Sequence, residues 1–358
     1  MKTASRRTFL KWCAGLVLSG FASWFVFFRR RAPERTGTAS TKTQVTGSGF
    51  DPSYLKLHRK GVLQKRGEEL WNMMENCRLC PRQCGTNRLK GNRGFCQASS
   101  QLEISSFHPH FGEEKPLVGK GGSGTVFFAN CSLRCVFCIN WEISQGGAGE
   151  PRSIEELAAM MLRLQKMGCH NINFVTPTHY LPHILLAVDR AAGEGLRLPL
   201  VYNTCGWERL EILEKLDGVI DIYLPDFKYA DGAMAATYSS DARSYPEVAK
   251  AALLEMNRQV GVAKSAADGI MSRGLMIRHL VMPNRVGGTR KVIEWISTHL
   301  SKDTYLNLMS QYRPMYKAFK YPEISRAITY DEYHEAVNWA REAGLTNCDF
   351  QGYSLRLD

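Results

Sequence analysis

The sequence predicts an α/β protein: an open, partial barrel of six β/α units, preceded by a small cysteine-rich segment. From residue 124 onward, short runs of high β propensity lie at 125–130, 171–176, 199–204, 220–227, 275–282 and 304–311. Helical patterns separate or follow them at 153–167, 181–194, 207–216, 245–260, 288–300 and 330–343. The first of these helices opens Ser153-Ile154-Glu155-Glu156, a capping box that fixes its boundary. Regular alternation argues for a parallel sheet whose working face lies at the strand C-termini. Six units rather than eight leave the barrel open. A length of 358 residues suits one such domain plus a small appendage.

Taken in chain order, residues 1–31 read as a targeting or anchoring segment. Ser5-Arg6-Arg7-Thr8-Phe9-Leu10-Lys11 precedes an uncharged run over 12–28, and Arg29, Arg30 and Arg31 follow. The stretch resembles a twin-arginine translocation signal. The run over 12–28 also reaches the lower length limit of a membrane span, so an uncleaved tether fits equally. Positive charge flanks both ends and leaves the orientation open. Export, anchoring at the membrane and retention in the cytoplasm all stay open. The chain carries a net charge of +12, but residues 1–35 hold eight Lys/Arg against one Glu. The basicity therefore belongs to this segment, and no nucleic-acid partner is expected. Residues 32–62 read as a linker, Thr/Gly/Ser-rich over 32–50. A short helical segment follows over 63–74.

The cysteine-rich segment, 63–118, contains Cys77, Cys80, Cys84 and Cys96 in the spacing C-x2-C-x3-C-x11-C. Four thiolates can close a structural zinc or hold an iron–sulfur cluster, and the spacing selects neither. Eleven cysteines in the whole chain are too few for a disulfide scaffold. Cys13, Cys169, Cys205 and Cys348 read as apolar packing. Residues 119–124 satisfy G-x-G-x-x-G in form but precede a strand, so they read as a glycine turn and not as a dinucleotide site.

The most informative motif is Cys131, Cys135 and Cys138, written C-S-L-R-C-V-F-C at the end of the first apolar run. Three thiolates leave one iron of a 4Fe–4S cluster free to bind and activate a small molecule. A zinc site would need a fourth ligand, and the next four residues offer only Glu142. This spacing, with Phe137 before the last cysteine, resembles the signature of the radical S-adenosylmethionine (radical SAM) superfamily. The resemblance implies a 4Fe–4S cluster on Cys131, Cys135 and Cys138 whose fourth iron SAM chelates. It also implies an electron donor such as a flavodoxin or ferredoxin, and reductive cleavage of SAM to methionine and a 5′-deoxyadenosyl radical. The matching fold is a partial (β/α)6 TIM-like barrel, here over 119–358.

A narrower resemblance covers roughly residues 70–350. C-R-L-C-P-R-Q-C-G, G-F-C, C-S-L-R-C-V-F-C-I-N-W-E-I-S and N-F-V-T-P-T-H-Y together look like the pyruvate formate-lyase activating enzyme-like family. That family implies an oxidoreductase that takes a hydrogen from a glycine Cα of a partner enzyme, so a protein substrate. A competing reading is an exported iron–sulfur electron-transfer protein that never cleaves SAM; it calls for four cysteines at each cluster.

Strand ends supply the remaining candidates. By the superfamily resemblance, Phe137 packs near the SAM adenine. Thr176 and Thr178 take the place of the usual G-G-E loop at the amino group, and Asn203 and Thr204 reach the ribose. Asp226 and Lys228, two apart on a strand, share a face and are expected to pair along the pocket. His179 and His183 read as packing or capping groups. Arg278 and His279 sit inside an apolar run and read as interior or pocket groups.

Overall fold

All six strands read from the sequence form, and four more join them. The computed structural model describes residues 50–351. The twin-arginine-type motif, the run over 12–28 and the linker as far as residue 49 lie outside the described residues. The strands are β1 (Leu102–His110), β2 (Ser123–Phe128), β3 (Glu150–Arg152), β4 (Ile172–Val175), β5 (Leu200–Thr204), β6 (Ile222–Pro225), β7 (Lys264–Ser265), β8 (Met271–Leu280), β9 (Tyr305–Met309) and β10 (Cys348–Phe350). They form one sheet in the order β10-β9-β8-β6-β5-β4-β2-β1-β3, with β7 paired to β8 off that path. From β2 to β10 the neighbours along this path are parallel, whereas β1 pairs antiparallel with β2 and β3. The barrel is not closed: β10 and β3 remain its two ends.

Strands buried on both faces need apolar side chains throughout, and every residue of β5, β6 and β9 is buried. The helices that cover them begin where their caps dictate. Ser153 and Glu156 form the expected capping box of helix Ile154–Lys166, and Thr329 and Glu332 form a second one at helix Tyr330–Glu342. Replacing Ser153 with Ala removes an acceptor for a free backbone N–H. It should lower stability by about 1 kcal/mol, read as a shift in the denaturant midpoint.

Two expectations need correction. The linker read over 32–62 ends early, because Tyr54–Arg59 is helical with Tyr54 and Leu55 buried, and the Tyr54 hydroxyl donates to the Leu198 carbonyl at 3.1 Å. The helix read at 207–216 is only Leu210–Glu214, since 205–209 form the turn that carries site residues. The helix expected over 63–74 spans Val62–Asn72 and lies on helix Leu181–Gly193. Gly67 allows that approach: a Cβ there would come 2.8 Å from the Leu186 side chain. Among the described residues no helix is long and apolar enough to cross a membrane.

Candidate functional site

Cys131, Cys135 and Cys138 lie on the loop that leaves the C-terminal end of β2. Asn130 (φ 75°) and Arg134 (φ 51°) take the left-handed conformation, one before and one within the loop, and turn the chain sharply. The three cysteines line a cavity of about 710 Å³, within the roughly 300–1,000 Å³ usual for small-ligand sites. The loop is pinned from both sides: Val136 N–H donates to the Tyr238 carbonyl, and Lys317 N–H to the Val136 carbonyl, each at 2.9 Å. The Ser239 hydroxyl donates to Cys135 Sγ at 3.0 Å, and Cys138 Sγ lies 3.2 Å from Ser144 Oγ. Burial pushes the Cys135 thiol up to about 12, against the pull of the nearby Lys228 ammonium. Phe137 also lines the cavity.

The strand-end candidates divide. Thr176, Asn203, Thr204, Asp226 and Lys228 line the cavity; Thr178 does not. Thr178 is buried, and its hydroxyl donates to Glu208 Oε1 at 2.6 Å, which removes it from the expected contact with SAM. Thr204 donates to the same oxygen, so its hydroxyl is also engaged. Thr176 holds φ 58°, rare for a β-branched residue and therefore a sign of a constrained site. Asp226 Oδ2 and Lys228 Nζ meet at 2.7 Å, partly shielded from solvent, as the two-residue spacing implies. Burial works against the Lys228 ammonium, but Asp226 outweighs it and holds the pKa above the ordinary lysine value.

Burial pushes Glu208 up to about 7, although its two threonine donors pull the other way. A carboxyl whose folded pKa exceeds its unfolded one keeps its proton in the native state while the unfolded chain loses it. This carboxyl's own contribution to stability should therefore fall as pH rises from about 4.5 to about 7. By contrast His179, His183 and His279, held neutral by burial, add stability as pH rises through much of the same range. Glu208→Gln should therefore make stability rise more steeply with pH between about 4.5 and about 7 in denaturant titrations. Asp221, raised by burial to about 6, acts in the same direction as Glu208. An unchanged slope in the variant would contradict this.

The histidines are structural, as expected. Both are buried; His179 Nε2 lies 2.7 Å from the Ala129 carbonyl and His183 Nε2 2.7 Å from that of Ser100. His279 bonds to the Phe227 carbonyl and Thr289, while its neighbour Arg278 faces the cavity.

Sequence reasoning missed the cavity's other polar wall. Because β1 runs antiparallel, the segment after it returns toward the edge where the parallel strands begin. Glu113 and Glu114 on this segment line the cavity. Arg278 on β8 donates to Glu114 through Nε and Nη2 at 2.6 Å each, and to Glu113 through Nη2. Its Nη1 donates to Asn203 Oδ1 at 3.3 Å. Asn307, the cross-strand neighbour of Arg278 on β9, donates to Glu114 Oε1 at 2.7 Å and leaves its own buried Oδ1 without a partner. Burial raises the Glu114 pKa, but Arg278 outweighs it and holds the carboxyl below its ordinary range.

Residues 125–234, from β2 through the strand ends of β4, β5 and β6, match the family model described as the radical SAM superfamily. The chain carries a radical SAM domain over residues 125–234. Two uncharacterized proteins of Methanocaldococcus jannaschii are similar to it. One is 32% identical over 312 residues, 84% of this chain and 85% of the relative. The other is 24% identical over 275 residues, 71% and 75%. Radical SAM proteins typically use a 4Fe–4S cluster and SAM.

The residues present fit that cofactor pair. The donor set is three soft thiols, the type that selects iron–sulfur clusters, and hydroxyls lie against two of them. Among the described residues, no three His, Cys, Asp or Glu side chains stand at the distances that grip a single ion. A cubane spreads its thiolates wider than one ion does. The same cavity offers a shielded Asp–Lys pair, suited to the charged and hydroxylated parts of SAM.

Proposed function

We propose that this radical SAM enzyme holds a 4Fe–4S cluster on Cys131, Cys135 and Cys138 and binds SAM along the strand ends. When bound, the cluster supplies the electron that cleaves SAM to methionine and a 5′-deoxyadenosyl radical, which takes a hydrogen atom from a substrate C–H. The observation that carries the reading is the convergence of the three cysteines and the Asp226–Lys228 pair on one cavity. In this scheme Lys228 and Asp226 hold the charged and hydroxyl groups of SAM, Asn203 contributes an amide, and Phe137 packs on the adenine. Thr176 offers backbone groups at its strained turn. Thr204 serves through Glu208 and not by direct contact. The external electron comes from a flavodoxin- or ferredoxin-type donor.

Lys228→Ala removes a charge-assisted hydrogen bond and should weaken SAM binding by about ten- to a hundredfold. Equilibrium binding to the reconstituted protein measures this, and an unchanged affinity would remove Lys228 from the SAM site.

The resemblance to activating enzymes supports a glycine Cα of a partner protein as the hydrogen donor. A glycyl-radical signal in such a partner, seen by electron paramagnetic resonance after incubation with SAM and reductant, would establish it. SAM turnover with a metabolite alone would place the donor among small molecules. The electron-transfer alternative requires a cluster that neither binds nor cleaves SAM. Export or tethering through residues 1–31 rests on the sequence motif. Arg6→Lys/Arg7→Lys should abolish appearance outside the cytoplasm in cell fractionation if the motif acts as a translocation signal. The proposed division, 1–31, 32–62, 63–118 and 119–358, follows the same reading, with the linker shortened as described.

A further inference from the structure

The second cysteine group lies apart from the cavity, on the loops between helix Val62–Asn72 and β1. Cys77, Cys80 and Cys96 are buried and Cys84 is exposed. Two backbone hydrogen bonds of 3.1 Å close the first loop: Cys77 N–H donates to the Thr86 carbonyl, and Gly85 N–H to the Cys77 carbonyl. One local pattern recurs at three of the thiols. The backbone N–H two residues on, of Arg82, Thr86 and Ala98, is placed where it favours the thiolate of Cys80, Cys84 and Cys96 respectively. A Cβ on Gly94 would stand 3.3 Å from Cys84 Sγ and 3.7 Å from Cys96 Sγ, so these two thiols flank one glycine.

Arg88 is the independent observation that points to a ligand. It is fully buried beside these thiols. Its Nε and Nη2 donate to the Ser99 carbonyl at 3.1 and 2.6 Å, and Nη1 to the His179 carbonyl at 2.8 Å. The same Nη1 points at Cys77 Sγ from 3.9 Å. These partners are two carbonyls and a thiol, with no carboxylate among them. A permanently charged guanidinium in the interior calls for a nearby negative charge. Four neutral thiols do not provide one. Four thiolates around a divalent ion or an oxidised cubane carry a net charge of about −2 and do.

We propose that Cys77, Cys80, Cys84 and Cys96 hold a four-thiolate metal centre whose negative charge Arg88 neutralises, and that Arg82 ties this centre to the loop of Cys131, Cys135 and Cys138. Binding draws the four thiols inward, since no three of them stand at single-ion distance in the structure. Arg82 sits between Cys80 and Cys84, with its guanidinium 4.1 Å from the Phe95 ring centre and 4.9 Å from that of Trp207. It donates to the carbonyls of Ser132 and Ser239, each at 3.2 Å. Ser239 in turn donates to Cys135 Sγ. A metal that fixes the Cys80–Cys84 loop therefore fixes both sides of the Cys135 environment. Arg82 is a positioning residue in this scheme, and its role rests on the function proposed for the three-cysteine loop; the metal centre itself does not.

The test separates the two. The full chain carrying Cys131→Ala/Cys135→Ala/Cys138→Ala is prepared without oxygen, treated with EDTA and analysed for metal and acid-labile sulfide. About one zinc, or about four irons with matching sulfide, should remain per chain. Cys80→Ser/Cys96→Ser added to that background should remove it. A folded chain with no metal, or metal that survives Cys80→Ser/Cys96→Ser, overturns the centre whatever the fate of SAM chemistry. Arg88→Met should weaken metal retention against a competing chelator by about ten- to a hundredfold, and Arg88→Lys by less. Equal retention in both variants overturns the charge-neutralising role. In the otherwise native chain, Arg82→Ala should alter the spectrum of the SAM-binding cluster while Arg82→Lys partly restores it; an unchanged spectrum overturns the tie.

Discussion

Cys135→Ser is expected to abolish both the cluster and SAM cleavage while leaving the fold intact. Cys135 is held more tightly than its two neighbours: buried, bonded by the Ser239 hydroxyl, and flanked by the pinned backbone of Val136. A serine hydroxyl is a hard, weakly acidic donor in place of a soft thiolate, and only two thiolates would remain for the cubane. Iron retained by the three-cysteine site should drop to a small fraction of that in the unsubstituted chain, along with its absorbance near 400 nm, roughly the region of thiolate-to-iron charge transfer in such clusters. Thermal stability without iron should change little, because one buried thiol is exchanged for a hydroxyl of similar size beside an existing donor. A variant that still holds a SAM-responsive cluster would show that the three cysteines are not the ligand set.

Arg278→Met should produce the largest loss of stability of any single substitution at the cavity. The guanidinium is the shared partner of Glu113 and Glu114, whose side chains are 7% and 1% exposed. Removing one member of a buried ionic cluster leaves uncompensated charge and typically costs about 3–5 kcal/mol, far more than the intact cluster contributes relative to apolar packing. The denaturant midpoint at neutral pH should fall accordingly. Glu113→Gln/Glu114→Gln in the same chain should recover much of the loss. In the unsubstituted chain Glu114, with its lowered folded pKa, stabilises the protein above the unfolded pKa, and that contribution disappears as pH falls through the folded value. A loss below about 1 kcal/mol for Arg278→Met would mean that the cluster is effectively solvated.

The parts of this molecule legible in the sequence are those governed by local rules. The six central strands announce themselves as apolar, β-rich runs because both of their faces are buried. Ser153 and Glu156 mark a helix start three residues apart. Cys131, Cys135 and Cys138 fall within eight positions, and Asp226 and Lys228 share a face by the two-residue period. Strand β1 escaped because Leu102–His110 mixes polar and apolar residues, contains Pro109 and carries a register shift near Ile104. Strand β10 is only three residues long.

Long-range geometry accounts for what was missed at the site. Glu114 and Arg278 are 164 positions apart and meet only in the folded chain, where the segment after the antiparallel strand β1 reaches β8. Thr178 looked like a ligand because it follows a strand. The left-handed turn at Thr176 comes between them, and the Thr178 hydroxyl is directed to Glu208 instead. Glu208 itself gave no signal, being one carboxylate in a turn. Burial against two threonine hydroxyls makes it distinctive, and burial is a property of the folded chain.

The most direct measurement is 5′-deoxyadenosine formation by the protein reconstituted anaerobically with iron and sulfide, then given SAM and dithionite. The unsubstituted chain should release 5′-deoxyadenosine, and Cys131→Ala/Cys135→Ala/Cys138→Ala should release none. A normal cluster spectrum with no 5′-deoxyadenosine from the unsubstituted chain would contradict radical chemistry at this site.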